Sequence, residues 1–83
     1  MYDIFILPAG QKDLDKLSAS AFERIIRKVR TLSRDPRLPG SLKLTGEEGY
    51  RVRVGDYRVL YAVEDVHQMV DVIAVRHRSD AYR

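Results

Sequence analysis

The chain has 83 residues, a net charge of +3 and a pI near 9.4. A chain this short supports only one hydrophobic core, because small domains bury about 60% of the surface that their unfolded chains expose. It contains no cysteine, which excludes disulfides, thiolate metal ligands and cysteine nucleophiles, and two histidines are too few for a dedicated zinc site. We therefore expect one domain, residues 1–83, with no cofactor and no metal.

Two further features narrow the class of protein. No apolar run approaches the ~20 residues that a membrane-spanning helix needs, and the start, MYDIFILPAGQKD, lacks the cationic segment and cleavage site of a secretory signal. We expect a cytoplasmic protein without a membrane partner. Eleven of the fifteen basic residues are arginine, whose planar guanidinium matches phosphate geometry.

The first half of the chain predicts a strand followed by two helices. Residues 2–7 are rich in β-branched and aromatic side chains and predict a strand, and residues 9–17 predict a short helix. Ser20 and Glu23 have the spacing of a capping box, which predicts the start of a second helix. That helix has one apolar stripe that faces the core or a partner protein, formed by Phe22, Ile25, Ile26, Val29 and Leu32.

The second half predicts three strands. Residues 36–49 form a Gly- and Pro-rich connection, and strands over 50–54 and 57–63 follow, joined by a Gly-Asp step that suits a type II′ turn. Residues 69–75 predict the last strand. The order β-α-α-β-β-β indicates an α+β domain, with two helices packed on one face of a small, mainly antiparallel four-stranded sheet.

The predicted hairpin carries three arginines on one face. Counting outward from the turn pairs Arg53 with Arg58 and puts Arg51 on the same face, while valines and tyrosines occupy the other. Like charges directly opposite each other destabilise a sheet, so the pattern favours a bound anionic ligand. The alternative is an exposed ionic network, in which acidic residues of the 46–49 segment or Asp71 pair with these arginines.

The end of the chain extends the basic pattern. Arg76, His77 and Arg78 follow the predicted last strand, and Tyr82 lies four residues beyond Arg78. Guanidinium groups that bind phosphate, together with a tyrosine that stacks on a base, are typical of RNA or DNA binding. Lys43 lies in the connection before the hairpin. It is a further candidate to bind the RNA backbone, and the alternative is that it is simply a solvated lysine.

Three segments carry a resemblance to the RelE/ParE superfamily of bacterial toxin–antitoxin toxins. They are LKLTG at 42–46, GYRVRVGDYRVLY at 49–61 and VIAVRHRSDAYR at 72–83. The resemblance implies the same β-α-α-β-β-β fold. It also implies a cognate antitoxin protein as partner, in a toxin–antitoxin hetero-oligomer.

The superfamily has two functional branches. RelE-like toxins cut mRNA in the ribosomal A site, whereas ParE-like toxins poison DNA gyrase and lack the nuclease residues. The basic and tyrosine positions of the RelE-like branch match Arg51, Arg53, Arg58, Arg78 and Tyr82 here. The resemblance therefore favours a metal-independent endoribonuclease that acts on mRNA and the ribosome. A gyrase poison, or a silent relative that only binds nucleic acid or antitoxin, is the alternative.

The chemistry that the resemblance implies is attack of a ribose 2′-OH on the adjacent phosphate. Arg53, Arg58 and Arg78 would stabilise the developing charge. RelE-like toxins often have lysine at the first two positions, whereas arginine stays protonated and is a poor base. His77 and Tyr82 are then the candidate proton acceptors, although His77 can equally be a packing residue after the last strand.

Overall fold

The computed structural model describes residues 1–37, 41–43 and 49–79. Five strands form one sheet in the order β1-β5-β4-β3-β2, in which only the β1–β5 pair is parallel. The elements are β1 (Asp3–Ile6), α1 (Pro8–Asp15), α2 (Ala19–Leu32), β2 (Leu42–Lys43), β3 (Tyr50–Val54), β4 (Tyr57–Glu64) and β5 (Met69–His77). The predicted α+β class and mainly antiparallel sheet are confirmed.

The sheet has one strand more than the four predicted. Leu42–Lys43 pairs antiparallel with β3, Leu42 opposite Arg51 and Lys43 opposite Tyr50. A strand of two residues is too short for apolar and polar residues to show an alternation, so the pattern gave no signal for it.

The helices begin earlier than predicted. α1 begins at Pro8, where the missing backbone N–H costs nothing because the first helical N–H groups have no partner. α2 follows Ser18, whose extended backbone lets its Oγ accept a hydrogen bond from the Ala21 N–H at 3.3 Å. The predicted Ser20–Glu23 capping box is therefore wrong, because Ser20 lies inside the first turn.

The core lies between α2 and one face of the sheet. Of the predicted apolar stripe, Ile25, Val29 and Leu32 are buried, whereas Phe22 remains 39% exposed. Each fully buried aliphatic side chain contributes about 1.5–3 kcal/mol. The sheet side of the core consists of Val52, Val59, Tyr61, Val70, Val72 and Val75. In the part of the chain that the structure describes, neither helix has the length and apolar character to cross a membrane.

Helix α1 covers an edge of β5. Strand β1 ends at Ile6, opposite Val72, so the remainder of β5 has no strand neighbour on that side. Asp13 Oδ2 accepts a hydrogen bond from the Val75 N–H at 2.9 Å and so replaces a strand partner. The close approach depends on Gly10, because a Cβ there would lie 2.9 Å from the Val72 carbonyl oxygen.

The β3–β4 hairpin has the predicted register. Arg53 lies opposite Arg58, and Val54 lies opposite Tyr57. Gly55 has φ +59°, which a type II′ turn requires at its first central position and which favours glycine. The predicted core face is confirmed, since Val52, Val59 and Tyr61 are buried and the other residues of that face pack, partly buried, against the core.

A polar cluster, which we call the Arg37 clamp, joins the segment after α2 to the sheet. Arg37 donates two hydrogen bonds to the Asp65 carboxylate, at 2.9 and 3.1 Å, and one to the Tyr50 hydroxyl at 2.9 Å. The Tyr2 hydroxyl donates to the same carboxylate at 2.7 Å. These hydrogen bonds, chiefly those from Arg37, lower the pKa of Asp65.

A buried hydroxyl reinforces this attachment. Tyr61 is fully buried, and its hydroxyl donates to the Pro36 carbonyl oxygen at 2.6 Å. Burial raises the pKa of Tyr61, so the hydroxyl stays protonated and remains a donor.

The first prediction concerns this hydrogen bond. We expect Tyr61→Phe to lower the free energy of unfolding by about 1–3 kcal/mol, because it leaves the buried Pro36 carbonyl without its donor. Urea unfolding followed by circular dichroism measures it. Tyr57→Phe is the matched control, since the half-buried Tyr57 has no such bond, and equal losses in the two variants would contradict the assignment.

The second prediction concerns Asp65. Its folded-state pKa is lowered, so its ionised form stabilises the fold above a pH of about 4, and this contribution is lost as the pH falls through the lowered pKa. We expect Asp65→Asn to lower the melting temperature at pH 7 and to match wild type at strongly acidic pH. Glu23→Gln is the control, and a difference for Asp65→Asn that persists unchanged in acid would refute the prediction.

Candidate nucleic-acid interface

Three arginines form a row across the open face of the sheet, the face turned away from the buried valines. Arg58 of β4 lies directly opposite Arg53 of β3 on one side and Arg76 of β5 on the other. Directly opposed residues have their Cβ atoms ~5 Å apart, so the row concentrates three positive charges. The sequence predicted the first pair, and the structure adds Arg76.

A β-bulge decides that Arg76 belongs to this row. Leu60 pairs with Ala74 and Tyr61 pairs with Val72, which leaves Ile73 as an extra residue on β5. One extra residue reverses the alternation of side chains along the rest of a strand. Arg76 therefore lies on the open face and His77 on the opposite one. Both residues are within β5, so the prediction that they follow the last strand is wrong.

The row borders a cleft of about 250 Å³ that is lined by Leu42, Arg51, Arg53 and Arg58. Arg51 is half-buried and Arg53 is exposed, and Arg53 Nε donates to the Gly55 carbonyl oxygen at 3.3 Å. No carboxylate belongs to this lining among the residues that the structure covers. The cleft therefore combines three guanidinium groups with one apolar side chain.

The open face is electrostatically polarised along its strands. Arginines occupy the hairpin end, and apolar residues such as Leu60 and Ala74 lie next to them. Acidic residues lie at the far end, where Asp71 is opposite Ala62 and Glu64 is opposite Met69. A polyanion is attracted to the hairpin end and repelled from the far end.

Among the residues described, Arg51 and Arg53 do not form the alternative ionic network with Asp71. Asp71 lies away from the arginine row along the strands and makes no salt bridge with Arg51 or Arg53. Within the described ranges, Arg37 forms a salt bridge with Asp65. The other predicted source of partners, residues 46–48, lies outside the described residues.

The structure places Arg78 beside the hairpin turn and His77 away from the arginines. The Arg78 backbone N–H donates to the Asp56 carbonyl oxygen at 2.6 Å, which fixes Arg78 at the hairpin end. The His77 and Tyr57 rings form a T-shaped contact on the helix side of the sheet, with centroids 5.1 Å apart. Its Nδ1 accepts the Ser79 N–H at 3.1 Å.

Two other predicted site residues do not join the cleft. Lys43 is opposite Tyr50 and lines a separate cavity of about 450 Å³, which also includes Arg37 and Asp71. Tyr82 lies outside the described residues.

Sequence reasoning missed Leu42 as a lining residue. It is 55% exposed and opposite Arg51, so it presents an apolar surface beside the guanidinium groups. The L-K-L run at 42–44 is shorter than the four to eight residues over which alternation predicts a strand, so the sequence gave no signal that Leu42 lies beside Arg51. No group of three or more potential metal-ligating side chains was found within residues 1–37, 41–43 and 49–79.

Comparison with known proteins identifies the family. The family model for the ParE toxin of type II toxin–antitoxin systems matches residues 4–82. The chain is 33% identical over 86 residues to the toxin RelE of Mycobacterium tuberculosis, which covers 99% of this chain and 87% of that toxin. It is 31% identical over 84 residues to the toxin RelG of the same organism, covering 99% and 97%.

Solved structures agree with these relatives. The toxin–antitoxin complex RelBE2 from M. tuberculosis matches with a TM-score of 0.83 and 30% identity, covering 93% of this chain and 98% of that one. The isolated E. coli RelE toxin matches with a TM-score of 0.82 and 28% identity, covering 99% and 92%. With nearly its whole length matched, the chain belongs to the RelE/ParE family of toxins from type II toxin–antitoxin systems.

Proposed function

We propose that this toxin is a metal-independent endoribonuclease that cleaves mRNA in the ribosomal A site and thereby inhibits translation in the cytoplasm. The observation that carries the proposal is the row Arg53–Arg58–Arg76, with Arg51 beside it, around a cleft on the open face. Such a row is costly for a sheet by itself and suits a phosphate ligand. The similarity to toxins named RelE and RelG supports it.

The arrangement suits phosphodiester cleavage without a metal. The ribose 2′-oxygen attacks the adjacent phosphorus, the bond to the 5′-oxygen breaks, and a 2′,3′-cyclic phosphate and a 5′-hydroxyl result. Arg53 and Arg58, with Arg78 at the hairpin end, stabilise the extra negative charge of the pentacoordinate transition state. Arg51 and Arg76 hold the neighbouring phosphates, and Lys43 contacts the RNA backbone outside the cleft.

The proton transfers need a group other than arginine. The phenolate of Tyr82 is the proposed acceptor for the 2′ proton, as its position in the family pattern implies, and water supplies the proton that the leaving 5′-oxygen needs to become a hydroxyl. His77 lies on the opposite face of the sheet from Arg58 and Arg76. Its position therefore favours a role in holding the chain after β5. Through the Ser79 N–H it fixes the turn that carries Arg78.

The proposed partner is a cognate antitoxin in a hetero-oligomer. The similar structures include RelBE complexes from M. tuberculosis and E. coli, in which toxin and antitoxin are together. Phe22, at one edge of the α2 stripe, keeps 39% of its surface exposed and offers such a partner apolar contact.

Inhibition of DNA gyrase is the second candidate function. The family model that matches residues 4–82 is that of ParE toxins, which favours it. In that case the arginine row contacts a protein or DNA, and no RNA bond is broken. Cleavage of DNA by gyrase in the presence of the toxin distinguishes this candidate.

The third prediction tests the nuclease directly. We expect primer extension on a reporter mRNA in a coupled translation reaction to show new 5′ ends within the translated frame. Arg58→Ala should reduce the cleavage rate about 10²–10³-fold, because it removes one charge-stabilising donor. Lys16→Ala removes an exposed positive charge from the end of α1 and should cleave like wild type. Intact mRNA with full protein synthesis would refute the nuclease.

The fourth prediction separates the two candidate proton acceptors. Tyr82→Phe should reduce single-turnover cleavage by about 10²-fold, as expected for loss of a general base. His77→Gln should leave cleavage within a few-fold of wild type, because His77 faces away from the arginines. The opposite ranking would assign the proton transfer to His77.

A further inference from the structure

Helix α2 forms a second basic groove next to the arginine cleft. The groove has a volume of about 320 Å³ and is lined by Arg24, Arg27, Lys28, Thr31, Arg53 and Val54. The four helical residues follow the spacing i, i+3, i+4 and i+7, so they share one face of α2. That face lies beside the apolar stripe and borders the β3 edge.

Arg53 belongs to both the groove and the cleft. Among the residues that the structure describes, strand β2 pairs with Tyr50 and Arg51, and no strand pairing covers β3 from Val52 to the turn. The two concave surfaces therefore share one guanidinium, that of Arg53 near the end of β3.

The hairpin turn holds Arg24 in this position. A Cβ at Gly55 would lie 2.6 Å from Arg24 Nη2 and 3.2 Å from Arg24 Cζ, so the guanidinium packs directly over the glycine. Gly55 thus has two functions, the positive φ of the turn and the space for Arg24. The side chain is placed at the hairpin end, where the arginine row also lies.

The positive charges of the groove are not neutralised within the described part of the protein. Arg24, Arg27 and Lys28 form no salt bridge there, although Glu23 is on the same helix. Positive side chains at i, i+3 and i+4 repel each other and destabilise an isolated helix. A solvated helix face usually alternates the sign of its charges, whereas this groove has four cations and no carboxylate among its described lining residues.

We propose that the groove binds the phosphate backbone of the single-stranded RNA that passes out of the cleavage cleft. The RNA strand passes Arg53, which both surfaces share, and continues along α2, where Arg24, Arg27 and Lys28 contact its phosphates. This inference rests on the proposed ribonuclease function and adds a second binding surface to it.

The fifth prediction measures this contact by its salt dependence. The probe is a 12-nucleotide RNA in which every ribose is 2′-O-methylated, so that it cannot be cleaved, and binding is followed by fluorescence anisotropy. Log K falls as the log of the salt concentration rises. Each phosphate contact that is lost makes this negative slope shallower by about 0.7 for a single strand. The double variant Arg24→Gln with Arg27→Gln should therefore have a slope that is shallower by about 1.4. The double variant Lys12→Gln with Lys16→Gln loses the same charge from α1 and should leave the slope unchanged.

Equal slopes for the two double variants, or no binding of the probe by wild type, would overturn the proposal that the groove binds RNA. Arg27→Gln alone leaves the contact between Arg24 and Gly55 intact. It should make the slope shallower by about 0.7. The translation reaction reports separately on the nuclease. If wild type cleaves the mRNA but the two double variants have equal slopes, only RNA binding by the groove is rejected. If the Arg24 and Arg27 variant has a shallower slope but wild type does not cleave the mRNA, RNA binding by the groove is supported and only the nuclease is rejected.

Discussion

The site depends on the two-residue turn between β3 and β4. Gly55, with φ +59°, allows a turn that pairs Arg53 with Arg58 and Val52 with Val59. Because side chains alternate along a strand, a slip of one residue would bury the arginines and expose the valines. The large cost of burying unpaired charge makes that slip unfavourable, so the core and the arginine cleft enforce the same register.

The sheet divides two tasks between its faces. On the helix side, packing of valines and Tyr61 against α2 supplies the stability of this part of the chain. On the open side, three arginines lie directly opposite one another on neighbouring strands. The β5 bulge at Ile73 affects both faces, since the single extra residue places Val75 in the core and Arg76 on the open face opposite Arg58. A small domain thus gains a row of charges on one side without losing a buried strand on the other.

Arginine has two distinct roles in this chain. Arg37 is bound by a carboxylate and a phenol, and its contacts fix the segment after α2 to the sheet. Arg51 and Arg53 have no carboxylate within salt-bridge distance among the described residues. The same side chain is therefore a structural bridge at the far end of the strands and a candidate phosphate ligand toward the hairpin end. Partners, rather than residue type, indicate which role an arginine has.

The sequence by itself determined the order of the elements other than β2, the hairpin register and the face that carries Arg51, Arg53 and Arg58. These depend on short-range features, namely the alternation of side chains and a glycine turn, and local patterns record them directly. Only the tertiary structure decided that Arg76 lies in the arginine row, that His77 lies on the other face of the sheet, and that Arg24 packs over Gly55. Each of these depends on a bulge or on contacts between residues distant in sequence. The helix cap was missed for a related reason, since both Ser18 and Ser20 suit a cap and only the packed start of α2 selects between them.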